Sequence, residues 1–161
     1  MTKNAQVTYL KDYQVPSFII ETTDLDIRIG DEYTSVVARL KVRRNPASKG
    51  PSSKLVLQGG KDIKLQEVMM DGLILDTSNY DLEAAVLSIH HCPEVFELTT
   101  ECLIQPQLNT TLEGLYKSGG MYCTQCEAEG FRNITYYLDR PDALSVFTTR
   151  ISANKQIYPI L

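Results

Sequence analysis

Residues 121–142 spell MYCTQCEAEGFRNITYYLDRPD and bring together a Cys-x-x-Cys pair, acidic side chains, arginines and adjacent tyrosines. Metal ligation, thiol redox exchange and recognition of a charged ligand each use some of these residues. Cys123 and Cys126 have the spacing of half a zinc site, but a structural zinc needs a full tetrahedral ligand set. The other candidates, Cys92, Cys102, His90 and His91, form no second CxxC and no HxxxH arrangement. A redox pair belongs at the start of a helix that follows a strand in a βαβ unit, and this chain offers no such setting. The expectation is two reduced, metal-free thiols. His90 and His91 would point apart on an extended backbone, so they carry no assigned role. No Gly-x-Ser-x-Gly elbow and no phosphate-binding glycine loop occurs. Glu127 and Glu129 differ in kind: carboxylates at i and i+2 in a loop flanked by small residues can orient a cation, and a buried carboxylate needs a charged or donor partner. Arg132 is a candidate partner for one of them. The alternative is that both are solvent-exposed loop acids.

The elements that must position this stretch are strands. Leu25, Ile27 and Ile29 alternate with Asp24, Asp26 and Arg28, and Ala38, Leu40 and Val42 alternate with Arg39, Lys41 and Arg43. Each run has one apolar face for a core and one for water. With Gly30-Asp31-Glu32 between them they predict an antiparallel hairpin. Residues 45–53 (NPASKGPSS) are turn chemistry throughout and predict an exposed loop. Strands are expected over 55–57, 63–70, 73–75, 83–89 and 96–104, with Asp71-Gly72 suited to the positive φ angles of a tight turn. Short strands spaced by turn signals predict an all-β fold, a β-sandwich of two packed, mostly antiparallel sheets or an open barrel, with at most short helical turns. After Thr110 the alternation stops and glycines gather, which predicts a long functional loop over about 110–142. Arg140-Pro141-Asp142 reads as the start of a short helical turn, and 147–153 as a last strand.

At 161 residues the chain suits one domain able to bury a core without disulfides or metals. Sixteen basic residues stand against 20 acidic ones, a formal net charge of −4, and the only dense basic run is 41–44. That balance argues against a nucleic-acid partner. No apolar run has the length of a membrane span, and the first residues lack the apolar core of a secretion signal, so no membrane partner and a cytoplasmic location are expected. The sequons at Asn109 and Asn133 then carry no meaning.

Three further runs carry a resemblance: Thr111-Leu112-Glu113-Gly114-Leu115-Tyr116, then 123–132 (CTQCEAEGFR), then 134–142 (ITYYLDRPD). Together they resemble the amino-terminal domain of the bacterial aminopeptidase N family, the zinc-dependent gluzincins. The resemblance extends more loosely to Asp12-Tyr13 and to Tyr158-Pro159. It implies a β-rich, saddle-like domain packed on a catalytic domain, with the long loop reaching into the active site. Matched residue by residue, it implies that Glu127 holds the α-ammonium of a peptide substrate with a free amino terminus, that Gln125 lines the same first subsite, and that Gly130, Arg132 and Glu129 support the loop. A desolvated carboxylate reads an ammonium through a charge-assisted hydrogen bond worth roughly 1.5–3 kcal/mol.

The zinc motif H-E-x-x-H and the G-x-M-E-N exopeptidase motif are absent from this sequence. The resemblance therefore implies zinc in the full-length enzyme, none bound by this chain, no catalytic residue within it, and a catalytic domain of the same polypeptide as partner. Residues 1–161 are expected to be a single amino-terminal domain truncated from a longer enzyme, consistent with the apolar ending Tyr158-Pro159-Ile160-Leu161. Two rivals remain at this level: a freestanding β-sandwich module that binds peptide termini without cutting, and a small zinc protein built on Cys123 and Cys126.

Overall fold

A computed structural model of the chain describes residues 9–49 and 53–159. The first alternating run is longer than its core, because Phe18 and Ile20 extend the buried face: β1 spans Phe18–Ile29 and β2 spans Thr34–Arg44. They form the expected antiparallel hairpin, with a bulge between Ile20 and Thr22. Then come β3 (Leu55–Gln58), β4 (Lys64–Met70) and β5 (Leu73–Ile74). Asp71 and Gly72 turn β4 into β5 with φ of 51° and 78°, the doubly positive pair that matches the twist of a hairpin.

The run expected as one strand over 83–89 is two, β6 (Tyr80–Glu83) and β7 (Val86–Ile89). Ala84 and Ala85 make the turn between them at φ of 46° and 66°. Alanine is a poor left-handed residue, so nothing in the sequence marks this turn. β8 (Val95–Ile104) buries every second side chain from Phe96 to Ile104. The segment expected as a long loop also contains a hairpin, β9 (Gly114–Ser118) and β10 (Met121–Gln125). Its strands are mostly half-exposed or exposed and lack apolar alternation, but Gly119-Gly120 at positive φ was a readable signal. The last strand, β11, spans Val146–Ser152.

Six strands form one sheet in the order β11-β1-β2-β8-β4-β5, three form a second as β3-β7-β6, and β10-β9 stand apart. The described residues thus hold three sheets rather than two, antiparallel except for the β1–β11 pair. The inward faces of the first two share one apolar cluster: Val36, Leu40 and Leu98 from the large sheet meet Leu55, Leu57, Leu87 and Ile89 from the small one. Each such side chain contributes about 1.5–3 kcal/mol by leaving water. Leu115, Ile134, Tyr136, Tyr137 and Leu138 complete the cluster from the loop-bearing segment.

Two smaller expectations change. Asn45, placed in an exposed loop, is buried and donates from Nδ2 to the Pro16 carbonyl at 2.8 Å; residues 50–52 of that loop lie outside the described ones. Residues 140–142 form one turn closed by Ala143 N–H on the Arg140 carbonyl at 3.0 Å, and no helix follows. The Asp142 carboxylate accepts from the Arg140 guanidinium and from the Tyr13 hydroxyl. Helical structure among the described residues is confined to single 3-10 turns.

Candidate functional site

β10 ends at Gln125, and the chain then makes a tight excursion before the 3-10 turn Phe131–Asn133. The neck of the excursion is closed by Gly130 N–H donating to the Cys126 carbonyl at 2.8 Å. At Gly130 a Cβ would stand 2.7 Å from the Gln125 carbonyl oxygen and 3.0 Å from Cys126 Cα, so the two limbs approach too closely for any side chain. Gln125 and Glu127 lie on the exposed rim, where Gln125 Nε2 donates to the Glu127 carbonyl at 3.3 Å. The Glu127–Ala128 peptide is cis.

The base of the excursion is ionic. Arg132 donates its backbone N–H and its Nε to Asp139 Oδ2 at 3.1 and 2.7 Å, and its Nη2 to the Asp139 carbonyl at 3.0 Å. The same Nη2 lies 3.0 Å from Glu129 Oε2. Asp139 is 6% exposed, so its charge is tolerable only with this partner. Its own N–H donates to Gln58 Oε1 at 3.1 Å, and Gln58 exchanges backbone hydrogen bonds with Tyr137. The excursion is thereby tied to β3. Phe131 packs edge-on against Tyr137 with ring centroids 4.7 Å apart, and Phe147 of β11 caps both rings.

The structure brings Gln125, Glu127, Glu129, Gly130 and Arg132 into this one loop, and it answers which acid Arg132 serves: Glu129. Glu127 enters no ion pair among the described residues. Asp139 was missed by sequence reasoning. Its signal was present, an acid directly after the apolar Tyr136-Tyr137-Leu138 run, where burial is tolerable only with a cation nearby. Cys123 and Cys126 are free thiols, and burial raises the pKa of Cys126, with the Asp139 charge adding to it. Cys92 and Cys102 are buried elsewhere, and His90 pairs with Asp81 at 2.9 Å. Among the described residues no three His, Cys, Asp or Glu side chains gather as a metal shell. A groove of about 440 Å³, lined by Ile63, Ile104, Leu115 and Asn133 among others, excludes both Gln125 and Glu127.

Residues 21–160 match the Peptidase M1 N-terminal domain family. The chain belongs to that family. It is 46% identical over 153 residues, 95% of its length, to aminopeptidase N of Caulobacter vibrioides, and 43% identical over its full length to aminopeptidase N of Escherichia coli. It spans only 17% and 18% of those relatives. The crystal structure of Legionella pneumophila aminopeptidase A in complex with aspartic acid superposes with a TM-score of 0.88 at 32% identity, over 95% of this chain and 18% of that one. An M1 zinc metallopeptidase from Deinococcus radiodurans shares the fold alone, with a TM-score of 0.69 at 18% identity over 87% of this chain and 33% of its own. As a member of the M1 N-terminal domain family the chain is all-β, and no helix among its described residues is long and apolar enough to cross a membrane.

Proposed function

We propose that this chain is the amino-terminal domain of a cytoplasmic zinc-dependent aminopeptidase, and that the loop after β10 anchors the α-ammonium of peptides with a free amino terminus. Glu127 is the acceptor, Gln125 lines the same subsite, and Gly130, Arg132 and Glu129 hold the loop. The observation that carries this reading is the division of labour between the acids. Arg132 pairs with both Glu129 and Asp139, while Glu127 remains an exposed carboxylate without a cation among the described residues. An incoming ammonium would complete it, and the pair would strengthen as a neighbouring domain excludes water.

The zinc belongs to residues outside this chain, in the catalytic domain that would be its main partner. Leu144, Val146 and Ile151, at 82, 69 and 50% exposure, offer apolar surface of the kind that interfaces cover. Four free thiols and no disulfide among the described residues suit a reducing compartment.

In the full-length enzyme, Glu127→Gln keeps the side chain's shape and removes its charge. Losing one partner of a desolvated charge pair costs on the order of 2–5 kcal/mol, so catalytic efficiency on an amino-acid arylamide should fall at least about tenfold. Glu129→Gln should cost less than about 1 kcal/mol, because its ion pair is largely exposed. Zinc content should be unchanged in both. Near-wild-type efficiency for both variants would show that the carboxylate assignment is wrong.

A further inference from the structure

We infer that Asp139 is a positioning residue: through Arg132 it sets where the Glu127 carboxylate stands, and so governs recognition of the substrate's amino terminus without touching substrate. The inference rests on the ammonium-anchoring reading and adds a residue that the reading does not contain.

A continuous chain of bonds supports it. Gln58, in β3, fixes the Asp139 backbone through its side chain and fixes Tyr137 through its main chain. Asp139, almost fully buried, then orients Arg132 at three donors: the backbone N–H, Nε and Nη2. Arg132 projects its remaining reach to Glu129, two residues beyond Glu127. Gly130 N–H closes the neck on Cys126, on the other side of Glu127. The rim residue is therefore braced from both flanks, and one brace ends in a buried charge. A planar guanidinium is suited to this task because its donors keep a fixed angle to one another, which a lysine ammonium cannot reproduce. Only a carboxylate at 139 can both hold Nε and neutralise the buried part of Arg132. Packing alone does not require the pair, since replacing a buried ion pair by apolar residues of similar volume is often neutral or stabilising.

A merely structural Asp139 and a positioning Asp139 differ in a double-mutant cycle. In the full-length enzyme, Asp139→Asn, Glu127→Gln and the double variant are compared on an amino-acid arylamide, with zinc content and melting temperature recorded. A residue that acts through Glu127 has nothing left to position once that carboxylate is gone. Asp139→Asn should then raise KM about fivefold or more with kcat within about twofold, and should have no further effect in the Glu127→Gln background. Arg132→Lys, which keeps the charge and loses the fork, is run beside it so that a folding failure of Asp139→Asn does not close the test; it should show the same KM effect and the same non-additivity. Additive losses, or a fall in kcat with KM unchanged, would overturn the positioning role while leaving the anchoring role of Glu127 standing. If Glu127→Gln alone were near wild type, the anchoring reading would fail and this inference with it.

Discussion

β2 and β8 pair continuously from Thr34 with Ile104 to Arg43 with Val95, and their shared face is apolar or threonine almost throughout. The chain from Asn109 to Asp139 is held in another way. Asn109 Nδ2 donates to the Glu113 and Leu115 carbonyls at 2.7 and 2.9 Å, and its Oδ1 accepts from Thr111. Gly130 closes the neck and Arg132 locks the base. In the sheet, order comes from repetition, and any one contact has neighbours that do the same job. Outside the β9–β10 ladder, the segment relies on single bonds, the main ones made by particular side chains. The first region resists perturbation collectively and the second loses its shape locally.

The largest expected effect tests the collective half. Leu98 is fully buried at the centre of β8, and Leu98→Ala should destabilise the chain by about 2–5 kcal/mol. Urea denaturation should show one shifted transition, with amide protection falling in β2 and in the segment alike. Loss confined to β8 would break the comparison.

The seam between the regions comes next. Cys102 of β8 lies 4.0 Å from Thr135, and burial pushes its thiol from the ordinary 9.0 to about 11; burial likewise pushes the neighbouring Tyr136 phenol from 10.0 to about 12. Both groups become anionic on losing a proton, and the folded state holds that proton to higher pH than the unfolded state does. Stability is thus fully present below about pH 9 and declines as pH rises from there toward 12, by on the order of 2 kcal/mol for each group. Denaturation midpoints across that range should flatten in Tyr136→Phe and Cys102→Ala. A wild-type midpoint indifferent to alkaline pH would contradict the buried seam.

The smallest effect tests the local half. Gly130→Ala forces a Cβ against the Gln125 carbonyl, at a cost of about 1–2 kcal/mol for overpacking a tight neck. Hydrogen exchange should quicken between residues 125 and 134 while β2 and β8 keep their protection. Uniform loss across the chain would show that the loop is not held locally.

The same division governs what could be read beforehand. Alternation revealed β1, β2 and β8 because burial on one face writes a period of two into the residues. Asp71-Gly72 revealed a turn because its chemistry is local. The Ala84-Ala85 turn was illegible, since the neighbouring strands impose a backbone conformation that alanine does not prefer. The β9–β10 hairpin was hidden because its faces are mostly half-exposed, although Gly119-Gly120 marked its turn. For the loop, residue types alone raised Glu127, Glu129 and Arg132, and the family resemblance added Gln125 and Gly130. Which acid Arg132 would engage, and the role of Asp139, depended on a fold-back that residue spacing does not encode.

The parallel seating of β11 on β1, with Thr22 beside Val146 and Arg28 beside Ser152, also dictates an order of events at the ribosome. β1 and β2 can zip together as soon as both have emerged, but the outer edge of β1 then stays unpaired until β11 is made. At the usual pace of synthesis that interval lasts on the order of ten seconds. During it the nascent chain carries an open β edge beside Ile27 and Leu25, the kind of surface that recruits foreign strands. The strand that covers the β1 edge, and takes its place as the outer strand of the sheet, is thus also the one whose late arrival sets how long that edge stays open.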